Sequence, residues 1–276
     1  MNKELSLAFI GGGNMASALA AGLIGKRCGA HDVLVIDPNQ AVRDRWAGQG
    51  VAVAPEADSK LSARRVWILA VKPQGLKEVA LACKPHLAED TLVISVAAGV
   101  SSAALSGWLG QPDRPWRRLV RCMPNTPALI GAGACGLMAL DGVSEDERRL
   151  AQQMLGAVAQ VVWVDDDAGI DAVTALSGSG PAYVFLFIEA LIQGGIRHGL
   201  DDDQARSLAL ATLTGATQLA SLSHESLATL RERVTSKGGT TAAALDVFQA
   251  RDFAGIVGEA MDAARARAAA MAAEFS

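Results

Sequence analysis

Apolar and polar positions along the chain follow two different periods. Up to about residue 165, short β-rich runs alternate with segments of helical spacing. The runs are LSLAFIG at 5–11, DVLVID at 32–37, RVWILAV at 65–71, TLVISVA at 91–97, RLVRCM at 118–123, ACGLMAL at 134–140 and VVWVDD at 161–166. Such alternation predicts strands joined by helices, hence a parallel sheet covered by helices on both faces. From about residue 168 the β-branched clusters stop. Helical periodicity takes over in DAVTALSGSGPAYVFLFIEALIQGGIRHG, DDQARSLALATLTGATQLASL, ESLATLRERV, TAAALDVFQ and DFAGIVGEAMDAARARAAAMAA. The expectation is an α/β domain over 1–166 followed by an all-helical domain over 167–276, with the boundary running into a helix near Asp165 to Ile170. The most apolar stretch, AYVFLFIEALI, is interrupted by Glu189 and reads as a buried helix. No apolar run reaches the roughly 18–20 residues needed to span a bilayer.

Between the first strand and the first helix, LAFIGGGNMASALAAGLIG sets Gly11, Gly13 and Ala16 in a G-x-G-x-x-A pattern. In that context each residue has a physical task. Gly11 permits a tight turn, Gly13 lets the backbone approach a pyrophosphate, and Ala16 lets the helix pack closely with its N-terminal amides facing the anion. The next strand ends at Asp37, about 20 residues on, where an acid bonds the adenine-ribose hydroxyls and favours NAD. Asn39, Arg43 and Arg45 follow closely and can equally meet the 2′-phosphate of NADP, so the choice of nucleotide stays open. Composition removes other classes. A fifth of the 276 residues are charged, the formal net charge is -4, and no block of like charge exceeds the Asp triplets at 165–167 and 201–203, so neither nucleic acid nor an anionic membrane surface is an expected partner. Cys28, Cys83, Cys122 and Cys135 form no CxxC pair and His31, His86, His198 and His224 lack ligand spacing, so neither a disulfide nor a metal is expected. The apolar piece of the N-terminus has no small-residue cleavage site after it, which makes the cytoplasm the default location.

Further motifs sit where strands or loops run into helices. AVKPQ at 70–74 and SVAAGV at 95–100 leave strands at the C-terminal edge, where open α/β sheets bind ligands. RCMPNTPAL uses two prolines to fix a loop around Asn125. LSGSGPAY places Ser179 and Gly180 before Pro181 and reads as a helix start whose glycines also permit close approach of a ligand. VTSKGGTTAAALDVF contains no residue that acts as an acid or base near neutral pH, yet it gathers Ser236, Gly238, Gly239, Thr240 and Thr241 in front of a helix.

Taken in order, FIGGGNMA, AVKPQ, AAGV, RCMPNTPAL, LSGSGPAYVF and VTSKGGTTAAAL are together similar to the motifs of pyrroline-5-carboxylate reductases, and the resemblance runs from about residue 5 to 270. It implies a Rossmann-type doubly wound sheet followed by a helical C-terminal dimerisation domain. It also implies NADPH- or NADH-dependent reduction of 1-pyrroline-5-carboxylate to L-proline, in an obligate homodimer that builds rings as large as a decamer. Cofactor contacts implied by the resemblance fall on Gly11, Gly13, Asn14, Met15, Ala16, Asp37, Val71, Lys72, Pro73 and Ala98. Substrate contacts fall on Asn125, Ser236, Gly238, Gly239, Thr240 and Thr241, with Thr241 assigned to the reacting ring nitrogen. Ala57 departs from a frequent Asn that touches the cofactor, and Lys237 replaces a frequent Pro.

On this reading the loop needs orientation more than acidity. Free amides around Gly238 to Thr241 form an anion site for the substrate carboxylate, and hydroxyls add donors. The plainer alternative is that Ser236 or Thr240 only caps the helix. Two rival functions are a β-hydroxyacid dehydrogenase, whose usual lysine is missing from GPAYVFLFIEALIQGG, and a non-catalytic dinucleotide-binding scaffold.

Overall fold

A computed structural model describes residues 5–275; the first four residues, part of the stretch on which the expectation of no leader rests, lie outside the described residues. Eight strands form one sheet in the order β3-β2-β1-β4-β5-β6-β7-β8. They are β1 Leu7–Ile10, β2 Val33–Ile36, β3 Ala52–Ala54, β4 Val66–Leu69, β5 Leu92–Ser95, β6 Leu119–Pro124, β7 Gly133–Ala139 and β8 Ala159–Trp163. The helices between them are α1 Asn14–Leu23, α2 Gln40–Ala47, α3 Pro73–Cys83, α4 Ser102–Leu109 and α5 Glu145–Leu155. Successive residues of a strand point to opposite faces, and here both faces are dry. Leu7, Phe9, Val33, Val35, Val66 and Ile68 meet Leu19 and Leu23 of α1, Trp46 of α2 and Met154 of α5. Ala8, Ile10, Leu34, Trp67 and Leu69 meet Leu76 and Ala80 of α3 and Leu105 of α4 on the other side. Double burial is why these strands read as unbroken apolar runs.

The sheet corrects two expectations. It has an additional edge strand at Ala52–Ala54, paired parallel to β2, which three small or branched residues next to Pro55 do not advertise. It is also not wholly parallel. β7 runs antiparallel to β6, because the chain turns back through a short 3₁₀ segment at Thr126–Ile130 instead of crossing over a helix.

The rest of the chain is helical: α6 Asp167–Val173, a π turn at Thr174–Gly178, α7 Gly180–Arg197, α8 Asp202–Leu222, α9 Leu227–Arg233, α10 Thr240–Ala250 and α11 Phe253–Glu274. The chain divides into a compact unit ending at Ser179 and rejoined from Ala263, and a second unit spanning Gly180–Asp262. In the first unit Arg121, 3% exposed, pairs with Asp167 at 2.6 Å, and the same carboxylate accepts from the Ser102 amide at 3.0 Å and hydroxyl at 2.9 Å. This ties the starts of α4 and α6 to β6.

Two further expectations change here. Ser179 and Gly180 do not open a fresh helix. The stretch is helical from Asp167 to Arg197, entering α7 through the π turn and a bend at Ser179. Pro181 has no N–H for the carbonyl of Ser177, and the Asn125 side-chain amide donates to that carbonyl instead, at 3.0 Å. Nor is AYVFLFIEALI buried. No residue of α7 is fully buried in this chain, with Phe185 59% and Leu186 68% exposed. By length and composition the whole Asp167–Arg197 helix would suffice to cross a membrane.

Candidate active site

The parallel register places the ligand-facing motifs of the first unit on one edge. Ile10 pairs with Ile36 on one side and with Leu69 on the other, and Leu69 pairs with Ser95. The chain therefore leaves β1, β2, β4 and β5 at one level, as Gly11, Asp37, Ala70 and Val96. β1 and β4 flank the point where the strand order reverses direction, the usual crevice for a ligand in such a sheet.

The glycine loop is held from below and open above. Gly11 has φ +96°, and a Cβ there would lie 2.7 Å from the Ala70 carbonyl oxygen. Gly12, which has no part in the G-x-G-x-x-A spacing, is equally constrained. A Cβ on it would meet Val42 at 2.7 Å and the Trp46 indole nitrogen at 2.8 Å. Its carbonyl accepts from Trp46 Nε1 at 2.9 Å and Arg45 Nη2 at 2.8 Å, and its amide donates to Asp37 Oδ2 at 2.8 Å. Three consecutive glycines were the only sign of this in the sequence. Gly13 is the opposite case: it is exposed, and a Cβ on it would have no heavy atom within 4 Å. Behind it Asn14 is exposed, Met15 half-buried and Ala16 fully buried against the sheet. Val71 and Pro73 are half-buried, Lys72 is exposed at the start of α3, and Ala98 is half-buried beside Gly99. An open cradle over a helix N-terminus fits a dinucleotide pyrophosphate.

Helix starts separate into two kinds. Helices α2, α4, α5, α6, α8 and α9 begin with a side-chain oxygen accepting from the first turn, from Asn39, Ser101, Ser144, Asp166, Asp201 and Ser226. Helices α1, α3 and α10 begin at Gly13, Lys72 and Gly239 with no side-chain cap. These uncapped starts coincide with the glycine loop, AVKPQ and SKGGTT motifs.

In the second unit, Gly238 adopts φ +71° and Gly239 donates to the Ser236 carbonyl at 2.9 Å, folding the loop into a turn that ends on α10. The N-cap of α10 is Gly239, and among the described residues neither the Ser236 nor the Thr240 hydroxyl bonds the first turn of the helix. Among the described residues the amides of Thr240, Thr241 and Ala242 have no partner, and the first bond of the helix is Ala243 to Gly239 at 3.2 Å. Ser236, Lys237, Gly238 and Thr240 are exposed, and Gly239 and Thr241 are half-buried. Asn125 lies in the first unit, where its side-chain carbonyl Oδ1 accepts from the Ala134 amide at 2.8 Å while one side-chain N–H serves the Ser177 carbonyl. One N–H of that amide remains for a ligand.

Comparison with known proteins places this arrangement. Residues 167–271 match the family model for pyrroline-5-carboxylate reductase dimerisation, and residues 6–99 match the model for coenzyme F420-dependent NADP oxidoreductases. The chain is 45% identical over 267 residues to pyrroline-5-carboxylate reductase of Pseudomonas aeruginosa, covering 96% of each protein. The chain belongs to the pyrroline-5-carboxylate reductase family. Among solved structures, the reductase of Coxiella burnetii superimposes with a TM-score of 0.89 at 36% identity, covering 98% of this chain and 99% of that one. The enzyme of Plasmodium falciparum, solved with NADP bound, superimposes with a TM-score of 0.86 at 27% identity over the same shares.

Proposed function

We propose that the uncapped start of α10 receives the carboxylate of 1-pyrroline-5-carboxylate and that Thr241 addresses its ring nitrogen while the imine is reduced to L-proline. The observation that carries this reading is the set of unpartnered amides at Thr240 to Ala242, which offers an anion a ready site. A bound NADPH or NADH supplies the hydride. Hydride addition at the C=N carbon leaves an electron pair on nitrogen, so the protein must keep a proton there or help deliver one. The Thr241 hydroxyl can accept from a protonated ring nitrogen or donate to a neutral one. Gly11, Gly13, Asn14, Met15 and Ala16 at the glycine loop, with Val71, Lys72, Pro73 and Ala98, receive the dinucleotide. Asn125 orients substrate or nicotinamide with its remaining N–H, and Ser236, Gly238, Gly239 and Thr240 complete the carboxylate site. Positioning of this kind lowers a barrier by about 7–11 kcal/mol without a strong acid.

The working particle is a homodimer, the unit from which a decamer would be built. Its support is the match to the dimerisation model together with the exposed apolar side of α7, which a second copy would cover in place of lipid. On this reading residues 1–166 serve the nucleotide and 167–276 serve substrate and assembly, in the cytoplasm and without a metal. The β-hydroxyacid dehydrogenase alternative gains no support, as α7 carries no lysine. Oxidation of reduced nicotinamide by the purified chain tests the proposal: it should need the cyclic imine, and no turnover with either nucleotide would refute it.

A further inference from the structure

The rim of the nucleotide crevice at the end of β2 carries Asp37, whose carboxylate makes no ion pair among the described residues. Asp37 accepts from the Gly12 amide through Oδ2 at 2.8 Å and from the Asn39 amide through Oδ1 at 2.9 Å, which fixes the carboxylate in place. Among the described residues it has no ion-pair partner within 4.0 Å. The nearby arginines are turned to other work. Arg43 donates to the Asp37 main-chain carbonyl at 2.7 Å and to Gln40 at 2.5 Å. Arg45 donates to the Gly12 carbonyl at 2.8 Å and to Ser17 at 3.4 Å. The neighbouring strand β3 is followed by Glu56 and by Asp58, the latter paired with Lys60 at 3.7 Å.

We propose that Asp37 makes this chain select the nucleotide without a 2′-phosphate, so that it binds NADH more tightly than NADPH. The proposal rests on reading the first unit as dinucleotide-binding. In a doubly wound sheet the acid at this position meets the adenine-ribose hydroxyls, and a carboxylate accepts from a 2′-hydroxyl that a phosphate would replace. A phosphate brought beside a fixed, unpaired carboxylate meets like-charge repulsion, which is how a site rejects a competitor it could otherwise hold. Turning Arg43 toward the phosphate would first require it to leave the Asp37 carbonyl and Gln40.

The test is calorimetric titration of the full-length protein with ADP-ribose and with 2′-phospho-ADP-ribose, followed by kcat/KM for NADH and NADPH with the imine. ADP-ribose should bind on the order of tenfold more tightly, and kcat/KM should favour NADH by a similar factor. Asp37→Ser should abolish or invert the ratio, whereas Arg43→Ala should weaken both ligands alike. Equal or tighter binding of the phosphorylated ligand by the unaltered protein overturns the proposal. So does selective loss of that ligand in Arg43→Ala, which would show that Arg43 holds the phosphate. If Asp37→Ser fails to fold after losing its bonds to Gly12 and Asn39, the ratio in the unaltered protein decides alone. If neither ligand binds, the dinucleotide reading falls and takes this proposal with it; if both bind but the imine is not reduced, only the reading of the substrate site fails.

Discussion

Thr241→Val separates chemistry from architecture at the α10 loop. Valine keeps the branched shape and removes the hydroxyl. In the structure that hydroxyl has no partner among the described residues and does not cap the helix, so its loss removes no native hydrogen bond. Thr and Val have similar helix propensities, and the expected change in stability is under about 0.5 kcal/mol, which moves Tm by less than about 2 °C for a domain of this size. A hydrogen bond to a charged or charging ring nitrogen is worth about 1.5–3 kcal/mol. If it forms fully only as hydride arrives, kcat/KM falls by about 10- to 150-fold with little change in nucleotide affinity. Thr241→Ala should behave alike. The assays are steady-state kinetics with the imine, nucleotide titration and thermal melting on the same preparations. A folded valine variant with unaltered turnover would remove Thr241 from the mechanism. A fall in Tm with normal turnover of the folded fraction would assign it to the helix start alone.

The glycine loop gives a paired test: Gly13→Ala, at φ -73° with no neighbour within 4 Å, should leave Tm unchanged and weaken nucleotide binding, while Gly11→Ala should destabilise the fold itself because its Cβ would meet the Ala70 carbonyl at 2.7 Å. Asp167→Ala should destabilise by about 3 kcal/mol in urea unfolding, near the low end for breaking a buried pair, because Arg121 is 3% exposed but the acid is 34% exposed. Burial pushes the Asp171 carboxyl above its ordinary value, against the attraction of Arg121. The folded state therefore holds that proton more tightly than the unfolded chain, and the associated stability is present at low pH and lost as pH rises through the raised value. Asp171→Asn should accordingly be more stable than the parent near neutral pH, with the gain vanishing as pH falls below the ordinary carboxylate range in unfolding curves.

Much of this architecture is legible along the chain because both faces of the sheet are buried. Val33 to Ile36 and Val66 to Leu69 announce themselves as apolar runs, and Gly11 with Ala16 marks the turn into α1. What hydrophobic periodicity does not carry is direction or cover. Nothing in ACGLMAL distinguishes an antiparallel from a parallel strand, and Ala52–Ala54 is too short to stand out against its turn residues. The passage through Ser179 and Pro181 depends on Asn125 reaching a carbonyl 52 residues away, a long-range bond that local propensity cannot express. Apolarity likewise marked Tyr183 to Ile192 for burial, whereas no residue of α7 is fully buried in this chain. At the candidate site the residue types were visible, but the support beneath them was not. That Gly12 is gripped by Trp46, Arg45 and Asp37, and that α10 begins without a side-chain cap, emerge only when helices and loop are seen together.

The most direct test of the central claim is quantification of L-proline formed by the purified full-length chain from 1-pyrroline-5-carboxylate and reduced nicotinamide dinucleotide. The account predicts one proline for each nucleotide oxidised, and no oxidation when the imine is omitted. Oxidation without proline, or no reaction with either nucleotide, would contradict it.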